Sequence, residues 1–176
     1  MHETRVEVKR WADFTEADRA GFDALRGEIE FGLPPTTWMP MPETPWRVLL
    51  WEDERLVSHV SVMERTISVG GQPVHVAGIR SVMTLPAARG RGYASRLMER
   101  AAELIRDELP QAEHGLLLCL DIRVPLYARL GWRVVEAPTY FEQPEGRTRS
   151  QVNTMVKPFR GKPWPLGEVD LRGLPW

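Results

Sequence analysis

The chain is poor in cysteine, in unbalanced charge and in long apolar runs. Cys119 is the single cysteine of 176 residues, which excludes an internal disulfide and a cysteine-ligated structural metal. Lys and Arg total 23 against 24 Asp and Glu, and a net charge of −1 provides no basic surface for nucleic acid. No apolar run approaches the roughly 18 residues that span a bilayer, and residues 1–10 alternate charged and apolar side chains, unlike a secretory signal. We therefore expect a cytoplasmic protein without nucleic-acid or membrane partners.

What the chain does contain predicts one domain over residues 1–176. Hydrophobic residues make up 43% of the sequence, enough for a substantial core. No repeat, low-complexity tract or linker divides it. Prolines crowd into residues 34–45 and 158–175, and these two stretches are predicted to be irregular segments that shape a surface cleft.

Hydrophobic periodicity predicts an α/β fold with flanking helices and a mixed, mostly antiparallel sheet. Thr15 and Asp18 have the spacing of a helix cap, and Gly78, where the alternation of one strand loses phase, predicts a central bulge that splays the sheet. A strand, a helix and a buried strand follow in that order, which implies a right-handed crossover. Helices are predicted at 15–30, 94–109 and 124–130. Strands are predicted at 46–51, 56–69, 74–85, 115–120, 132–135 and 152–156.

A glycine-rich turn leads from the third predicted strand directly into the second predicted helix. Residues 89–94 are Arg-Gly-Arg-Gly-Tyr-Ala. Unpaired amides and the helix dipole favour an anion there, and the two glycines lack the Cβ atoms that would keep a phosphate from the backbone. The two arginines add cations that can bind phosphate with two hydrogen bonds. The turn thus predicts a phosphate site; a tight connection with solvated arginines is the alternative. Rossmann and Walker phosphate motifs do not fit the glycine spacing.

Two linked motifs resemble the GNAT acetyltransferase superfamily. The first is Arg-x-x-Gly-x-Ala, formed by Arg89, Gly92 and Ala94; the second is a buried strand followed by Tyr-x-x-x-Gly-Trp at 127–132. The resemblance covers residues 46–156. It implies the GNAT fold and transfer of an acetyl group from acetyl-CoA to a primary amine of a small molecule by direct attack. A CoA-binding sensor without catalysis is the alternative, and transfer of a longer acyl chain or from a carrier protein stays open.

The resemblance also implies roles for individual residues. Backbone amides beside the bulge bind the acetyl carbonyl and the pantetheine arm, and the glycine-rich turn holds the diphosphate. Tyr127 gives its phenolic proton to the coenzyme A sulfur, with a packing tyrosine as the alternative. The implied coenzyme A site comprises Met83, Thr84, Leu85, Arg89, Gly90, Arg91, Gly92, Tyr93, Ala94 and Ser95.

Asp121 is the first candidate for the base that deprotonates the amine. It follows a buried strand at its carboxyl end, where α/β clefts form; capping of the helix at 124–130 is the alternative. Glu64 is expected to be solvated and His59 to be satisfied within the sheet, so both rank lower, and a chain of water is another route. Cys119 lies in an apolar strand, where burial raises the pKa of a thiol, so a covalent acyl-enzyme is not expected.

A further resemblance, to the aminoglycoside 2′-N-acetyltransferase branch, concerns the acceptor. It rests on residues 56–68, on the Tyr-Ala-x-x-Gly-Trp segment and on a chain that ends with tryptophan, and it implies an aminoglycoside-like amine. Arg80 departs from that branch, which carries an acidic residue there, and an arginine repels a polyamine. Residues that cover the sheet edges are the alternative for the tryptophans. The candidate acceptor residues are Glu28, Glu30, Trp38, Arg80 and Trp176, with Trp46, Glu168 and Asp170 beside them. No metal site is predicted, and a homodimer is left open.

Overall fold

The computed structural model describes residues 3–29 and 43–176. In these ranges one sheet of ten strands carries three α-helices. The helices are α1 (Glu16–Gly27), α2 (Tyr93–Glu108) and α3 (Val124–Arg129). The strands are β1 (Thr4–Arg10), β2 (Trp46–Glu52), β3 (Arg55–Val69), β4 (Gln72–Thr84), β5 (His114–Cys119), β6 (Arg133–Val134), β7 (Thr139–Gln143), β8 (Gly146–Arg149), β9 (Asn153–Pro158) and β10 (Val169–Asp170).

The sheet is mixed and mostly antiparallel. Its main order is β6-β9-β5-β4-β3-β10-β7-β8, and β2 and β1 continue from the first part of β3. The two parallel pairs are β4 with β5 and β10 with β7. The 15-residue β3 is the common member, because it pairs with β2, β4 and β10. This arrangement confirms the predicted α/β fold.

Helix α1 begins with the capping box that the sequence predicts. The Thr15 hydroxyl accepts from the Asp18 amide at 3.2 Å, and Asp18 Oδ2 accepts from the Thr15 amide at 2.9 Å. Lys9 of β1 also donates to both oxygens of Asp18 at 2.9 Å. Asp18 thereby fixes the start of α1 and ties it to the edge of the sheet.

Helix α2 buries one apolar stripe against the sheet, as its periodicity predicts. Leu97, Met98, Ala101, Leu104 and Ile105 are buried, and the helix packs on β2, β3 and β4. Since this helix connects two parallel neighbouring strands, its first residue is held at the end of β4. The glycine-rich turn is therefore fixed at the carboxyl edge of the sheet.

The bulge in β4 lies at Ser81 and Val82, so its prediction at Gly78 is wrong. Arg80 and Met83 pair with Ser61 and His59, which leaves two β4 residues opposite Val60. Ser81 has a φ of 51°, a left-handed conformation that the sequence does not signal with a glycine.

Gly78 has a different structural reason. It pairs in regular register with Met63, and a Cβ there would lie 2.5 Å from Cε2 of Trp176. The glycine therefore allows the indole of Trp176 to lie directly on the backbone of β4.

The sequence predictions omit β1, β7, β8 and β10, and most of the proline-rich stretch at 33–45 lies outside the described residues. No helix within the described ranges is long and apolar enough to cross a membrane.

Candidate active site

A cleft opens where the two parallel strands separate. Their last paired residues are Ile79 on β4 and Leu117 on β5. Beyond this pair the strands enclose a cleft of about 700 Å³, which α3 and the glycine-rich turn also line. Arg80 is the first β4 residue past the last pair, and Thr84 ends the strand. The cleft thus extends from Arg80 at its inner end to the turn at its outer end.

Three buried side chains of β3 bind carbonyl oxygens of β4 at the bulge. All three side chains are fully buried. Each carbonyl they bind belongs to the segment that lines the cleft. The hydrogen bonds are Ser58 Oγ to Met83 O at 2.7 Å, His59 Nδ1 to Ser81 O at 2.8 Å and Ser61 Oγ to Arg80 O at 3.1 Å. They supply hydrogen-bond donors to carbonyl groups of β4 where the register between β3 and β4 is irregular.

His59 is neutral in this environment. A carbonyl can only accept, so Nδ1 carries the proton, and Nε2 is buried with no hydrogen-bond partner in the described part of the chain. Burial, with the charges of Arg47 and Arg80, lowers the pKa of His59 to about 3. The residue therefore supports the bulge and is unsuited to act as a base near neutral pH.

We expect the buried His59 to make the protein less stable in weak acid. Below its unfolded pKa of about 6.5 the unfolded chain binds a proton that the folded protein, with a pKa of about 3, does not take up. The contribution of His59 to the free energy of unfolding therefore falls by about 1.4 kcal/mol per pH unit as the pH falls through this window, and it is fully retained above the window. Denaturant unfolding at about pH 7 and about pH 5 measures the effect.

The matched variant for this measurement is His59→Asn. The amide of Asn can donate to the Ser81 carbonyl in place of Nδ1, and it does not titrate. We expect the variant to show a shallower pH slope than wild type, because it lacks the contribution of His59. Identical pH slopes in both proteins would contradict the assignment of a buried, neutral His59.

The glycine-rich turn is open to ligand at its backbone. Gly90 and Gly92 have φ values of 78° and 76°, and a Cβ on either would meet no atom within 4 Å. Gly92 is the N-cap of α2 and no side chain caps it. The first backbone bond of the helix is from Arg96 to Gly92 at 3.0 Å, so the amides of residues 92–95 donate to no acceptor in the described chain. Four free amides at the positive end of a helix form an anion site.

Glu52 of β2 binds two residues of the implied coenzyme A site. Arg91 Nη1 donates to Glu52 Oε1 at 2.6 Å, and the Tyr93 hydroxyl donates to the same oxygen at 3.0 Å. Arg89 lines the cleft and Arg91 does not. Of the two arginines, Arg89 is therefore the one oriented toward the cleft.

The structure brings most of the implied coenzyme A residues to the cleft, with two exceptions. Arg91 is turned to Glu52. Leu85 is buried and its amide donates to Val57 O at 2.9 Å, so it cannot bind a pantetheine arm. The residues that line the cleft are Met83, Thr84, Arg89, Gly90, Gly92, Tyr93, Ala94 and Ser95.

Tyr127 lies in the wall of the cleft opposite β4. Its side chain is 6% exposed, and burial, together with neighbouring Cys119, raises the pKa of its phenol. Its carbonyl accepts from the amides of Leu130 and Trp132 at 2.9 and 3.1 Å, which ends α3 at Gly131. The phenol thus stays protonated and is held in place by the end of a short helix.

Cys119 also lines the cleft, and its side chain is a protonated thiol. Burial raises its pKa to about 11, and the Asp121 charge adds to the shift. Its sulfur lies 3.7 Å from the sulfur of Met155. A thiolate nucleophile is therefore disfavoured.

Asp121, the predicted base, does not line the cleft. It begins a short 3₁₀ helix after β5 and does not cap α3. Its Oδ1 accepts from Asn153 Nδ2 at 2.5 Å. It lies in a separate polar depression, which adjoins the cleft through the shared residue Val152.

Some of the candidate acceptor residues line the cleft and others do not. Arg80 and Trp176 line the cleft, and the Trp176 indole is held by a bond from Nε1 to Leu116 O at 3.2 Å. Glu28 does not line the cleft, because its carboxylate pairs with Arg55 at 2.6 Å. Glu30 and Trp38 lie outside the described residues. The other three residues have partners of their own: Arg10 lies over Trp46, and Arg147 pairs with Glu168 and Asp170.

Residues 5–135 match a family described as acetyltransferase (GNAT) domain. The chain belongs to the GNAT acetyltransferase family. It has the α/β fold of known GNAT structures. It is similar to ElaA from Escherichia coli at 14% identity and a TM-score of 0.64, covering 88% of this chain and 99% of that one. It is also similar to a GNAT family acetyltransferase from Brucella melitensis in complex with acetyl-CoA, at 17% identity and a TM-score of 0.53, covering 96% of each chain.

A third similar structure is the GNAT N-acetyltransferase YhbS from Escherichia coli in complex with CoA. The identity is 17% and the TM-score 0.59, and the match covers 97% of this chain and 89% of that one. A comparison with curated proteins finds no sequence that matches this chain.

Sequence reasoning missed several residues that shape the site of this GNAT acetyltransferase. Glu52 gives no local signal, because it lies 41 positions from Tyr93. Ser58 and Ser61 look like ordinary strand residues until the register places them beside the bulge. The polar residues clustered in the buried first half of β3 are the one signal that could have found them.

Proposed function

We propose that this GNAT acetyltransferase transfers the acetyl group of acetyl-CoA to a primary amine of a small molecule by direct attack, and that residues 1–176 act as one such domain. The observation that carries the proposal is the cleft between β4 and β5. It has four free helix amides at its outer end and a protonated tyrosine in its wall. The two similar structures in complex with acetyl-CoA and CoA support the choice of donor.

The residues present fit acetyl-CoA. The open space beside Gly90 and Gly92 admits a diphosphate to the amides of the first turn of α2, and Arg89 adds a cation there. The cleft between Thr84 and Arg80 is the place for the pantetheine arm. When bound, acetyl-CoA supplies an acetyl thioester whose carbon–sulfur bond is replaced by a carbon–nitrogen bond to the amine.

Tyr127 is the residue that we assign to the leaving sulfur. Since burial raises the pKa of the phenol, its hydroxyl keeps its proton and can donate a hydrogen bond to a sulfur that gains negative charge. Cys119, with a pKa of about 11, does not compete as a nucleophile. Direct attack by the amine is therefore the route that we propose.

The proton that the amine loses passes to water, and this water leads to the carboxylate of Asp121. Asp121 is exposed and bound to Asn153, so it does not reach into the cleft. Val152 lines both the cleft and the depression that holds Asp121. Water at this junction is the relay that would connect the amine to the carboxylate.

An aminoglycoside is the acceptor implied by the second sequence resemblance, and two features of the site weigh against a polycation. Arg80, at the inner end of the cleft, is positively charged. Glu168 and Asp170, which could have held cationic groups, are paired with Arg147 at 2.7 and 3.2 Å.

The test is a panel of primary amines, aminoglycosides included, assayed with acetyl-CoA by the appearance of free thiol. We expect CoA to bind and at least one class of amine to release thiol above the rate of hydrolysis. Binding of CoA without release by any amine would favour the sensor. Absence of CoA binding in calorimetry would overturn the proposal.

A further inference from the structure

The inner end of the cleft carries a row of positive charge. Arg47 of β2 pairs with Ser61 of β3, and Ser61 pairs with Arg80 of β4. Residues paired across neighbouring strands lie on the same face of a sheet, so the two arginines project from one face about 10 Å apart at their backbones. The row ends at the cleft, because Arg80 is the first β4 residue beyond the last β4–β5 pair.

The guanidinium of Arg47 is held against two aromatic rings. Its guanidinium lies 4.9 Å from the centre of the Trp11 ring and 5.7 Å from that of Phe22. Its Nε is buried and has no hydrogen-bond partner in the described ranges. A buried guanidinium nitrogen without a hydrogen bond is costly, and an anionic ligand is a group that would satisfy it.

Positive charges act on both arginines of the row. Burial and the Arg80 charge lower the pKa of Arg47 to about 10, and Glu43 only partly offsets this. Burial lowers the pKa of Arg80, and the positive charge of Arg26 of α1 adds to this shift. Fully buried His59, two residues before Ser61 in β3, is neutral and adds no charge.

We infer that the acceptor is a small primary amine that also bears an anionic group, a carboxylate or a phosphate, and that Arg80 and Arg47 bind this group. The inference rests on the proposed function. Guanidinium groups bind both kinds of anion through paired hydrogen bonds. Arg80 adjoins the bulge, so the anionic group and the reacting nitrogen of the acceptor lie only a few bonds apart. The row thereby selects amino acids or amino phosphates and rejects polyamines.

Matched pairs of acceptors test the inference in the complete protein with acetyl-CoA. β-Alanine is compared with its amide, and phosphoethanolamine with ethanolamine, by the rate of thiol release. We expect the anionic member of at least one pair to have a kcat/KM about tenfold or more above its neutral partner. The pair that shows the preference distinguishes carboxylate from phosphate. Equal use of both members, or better use of a polycation, overturns the inference and leaves the proposed function intact.

Variants assign the preference to the row. Arg80→Gln is expected to raise KM for the anionic acceptor about tenfold and so to remove its advantage over the neutral partner. Arg80→Lys, which keeps the charge but loses the planar fork of the guanidinium, is expected to retain part of the preference for the anionic acceptor. Arg47→Gln is expected to reduce this preference without abolishing it. Arg100→Gln, on the outer face of α2 where the side chain pairs with Glu103, is the matched control and should behave as wild type. Retention of the preference in Arg80→Gln overturns the assignment.

A binding measurement separates this inference from the proposed function. With CoA present, calorimetry records binding of β-alanine and of phosphoethanolamine to wild type and to Arg80→Gln. Binding to wild type that is lost in the variant supports the anion site even if no amine releases thiol. Absence of binding to wild type overturns the inference, whereas the proposed function is decided by CoA binding and by the panel of amines.

Discussion

Replacing Gly92 with aspartate is expected to weaken coenzyme A binding about a hundredfold, or about 2.8 kcal/mol. Gly92 is the uncapped N-cap of α2, and the amides that follow it are free. A carboxylate at this position would occupy the amides and repel a diphosphate. Calorimetric titration with CoA measures the loss.

Folding of the Gly92→Asp variant should be little affected. Gly92 has a φ of 76°, a conformation that Asp tolerates better than most residues, and a negative charge at a helix N-terminus is stabilising by about 0.3–1 kcal/mol. Gly71→Asp is the matched control, because Gly71 has a φ of 84° and equally open surroundings but lies in the turn between β3 and β4. Gly92→Asp binding CoA as tightly as Gly71→Asp would remove the turn from the coenzyme A site.

Replacing Tyr127 with phenylalanine should lower kcat about a hundredfold, with CoA affinity within about twofold of wild type. The phenol lies in the cleft wall with its pKa raised by burial, so the variant loses the donor that we propose for the leaving sulfur and keeps the ring that packs there. Steady-state thiol release gives kcat, and calorimetry gives the affinity.

The control for Tyr127 is Tyr140→Phe. Tyr140 is half-buried on β7 with the Arg147 guanidinium 3.6 Å from its ring centre, and it does not line the cleft. We expect this variant to retain the wild-type kcat. A Tyr127→Phe enzyme that turns over like Tyr140→Phe would mean that the buried tyrosine only packs.

Much of the fold could be predicted because the signals are local. The Thr15–Asp18 cap and the apolar stripe of α2 lie within single helices, and the apolar run of β5 indicated a strand buried on both faces. The omitted strands lack such signals: β7 and β8 form a short hairpin of mostly polar residues, and β10 has two residues. β1 does alternate apolar and charged residues, but it forms a strand only by pairing with β2, which lies far along the chain.

The part of the site that consists of local backbone could be predicted from the sequence. The parts that depend on how distant strands pair could not. The glycine-rich turn carries its conformation in its glycines. The bulge does not, because Ser81 takes its left-handed φ where His59, 22 positions earlier, binds its carbonyl. Likewise the relation of Arg47 to Arg80 becomes visible only when Ser61 pairs with both.

The three β3 side chains that bind β4 carbonyls have a consequence for how ligand meets the enzyme. Because Ser58, His59 and Ser61 are fully buried, their bonds form with the core and not with the ligand. The entropy of shaping the groove is therefore lost during folding, and coenzyme A meets a pre-organised surface at which induced rearrangement of β4 is unnecessary. Exchange of the β4 amides that bond to β3 should accordingly be slow before any ligand is added.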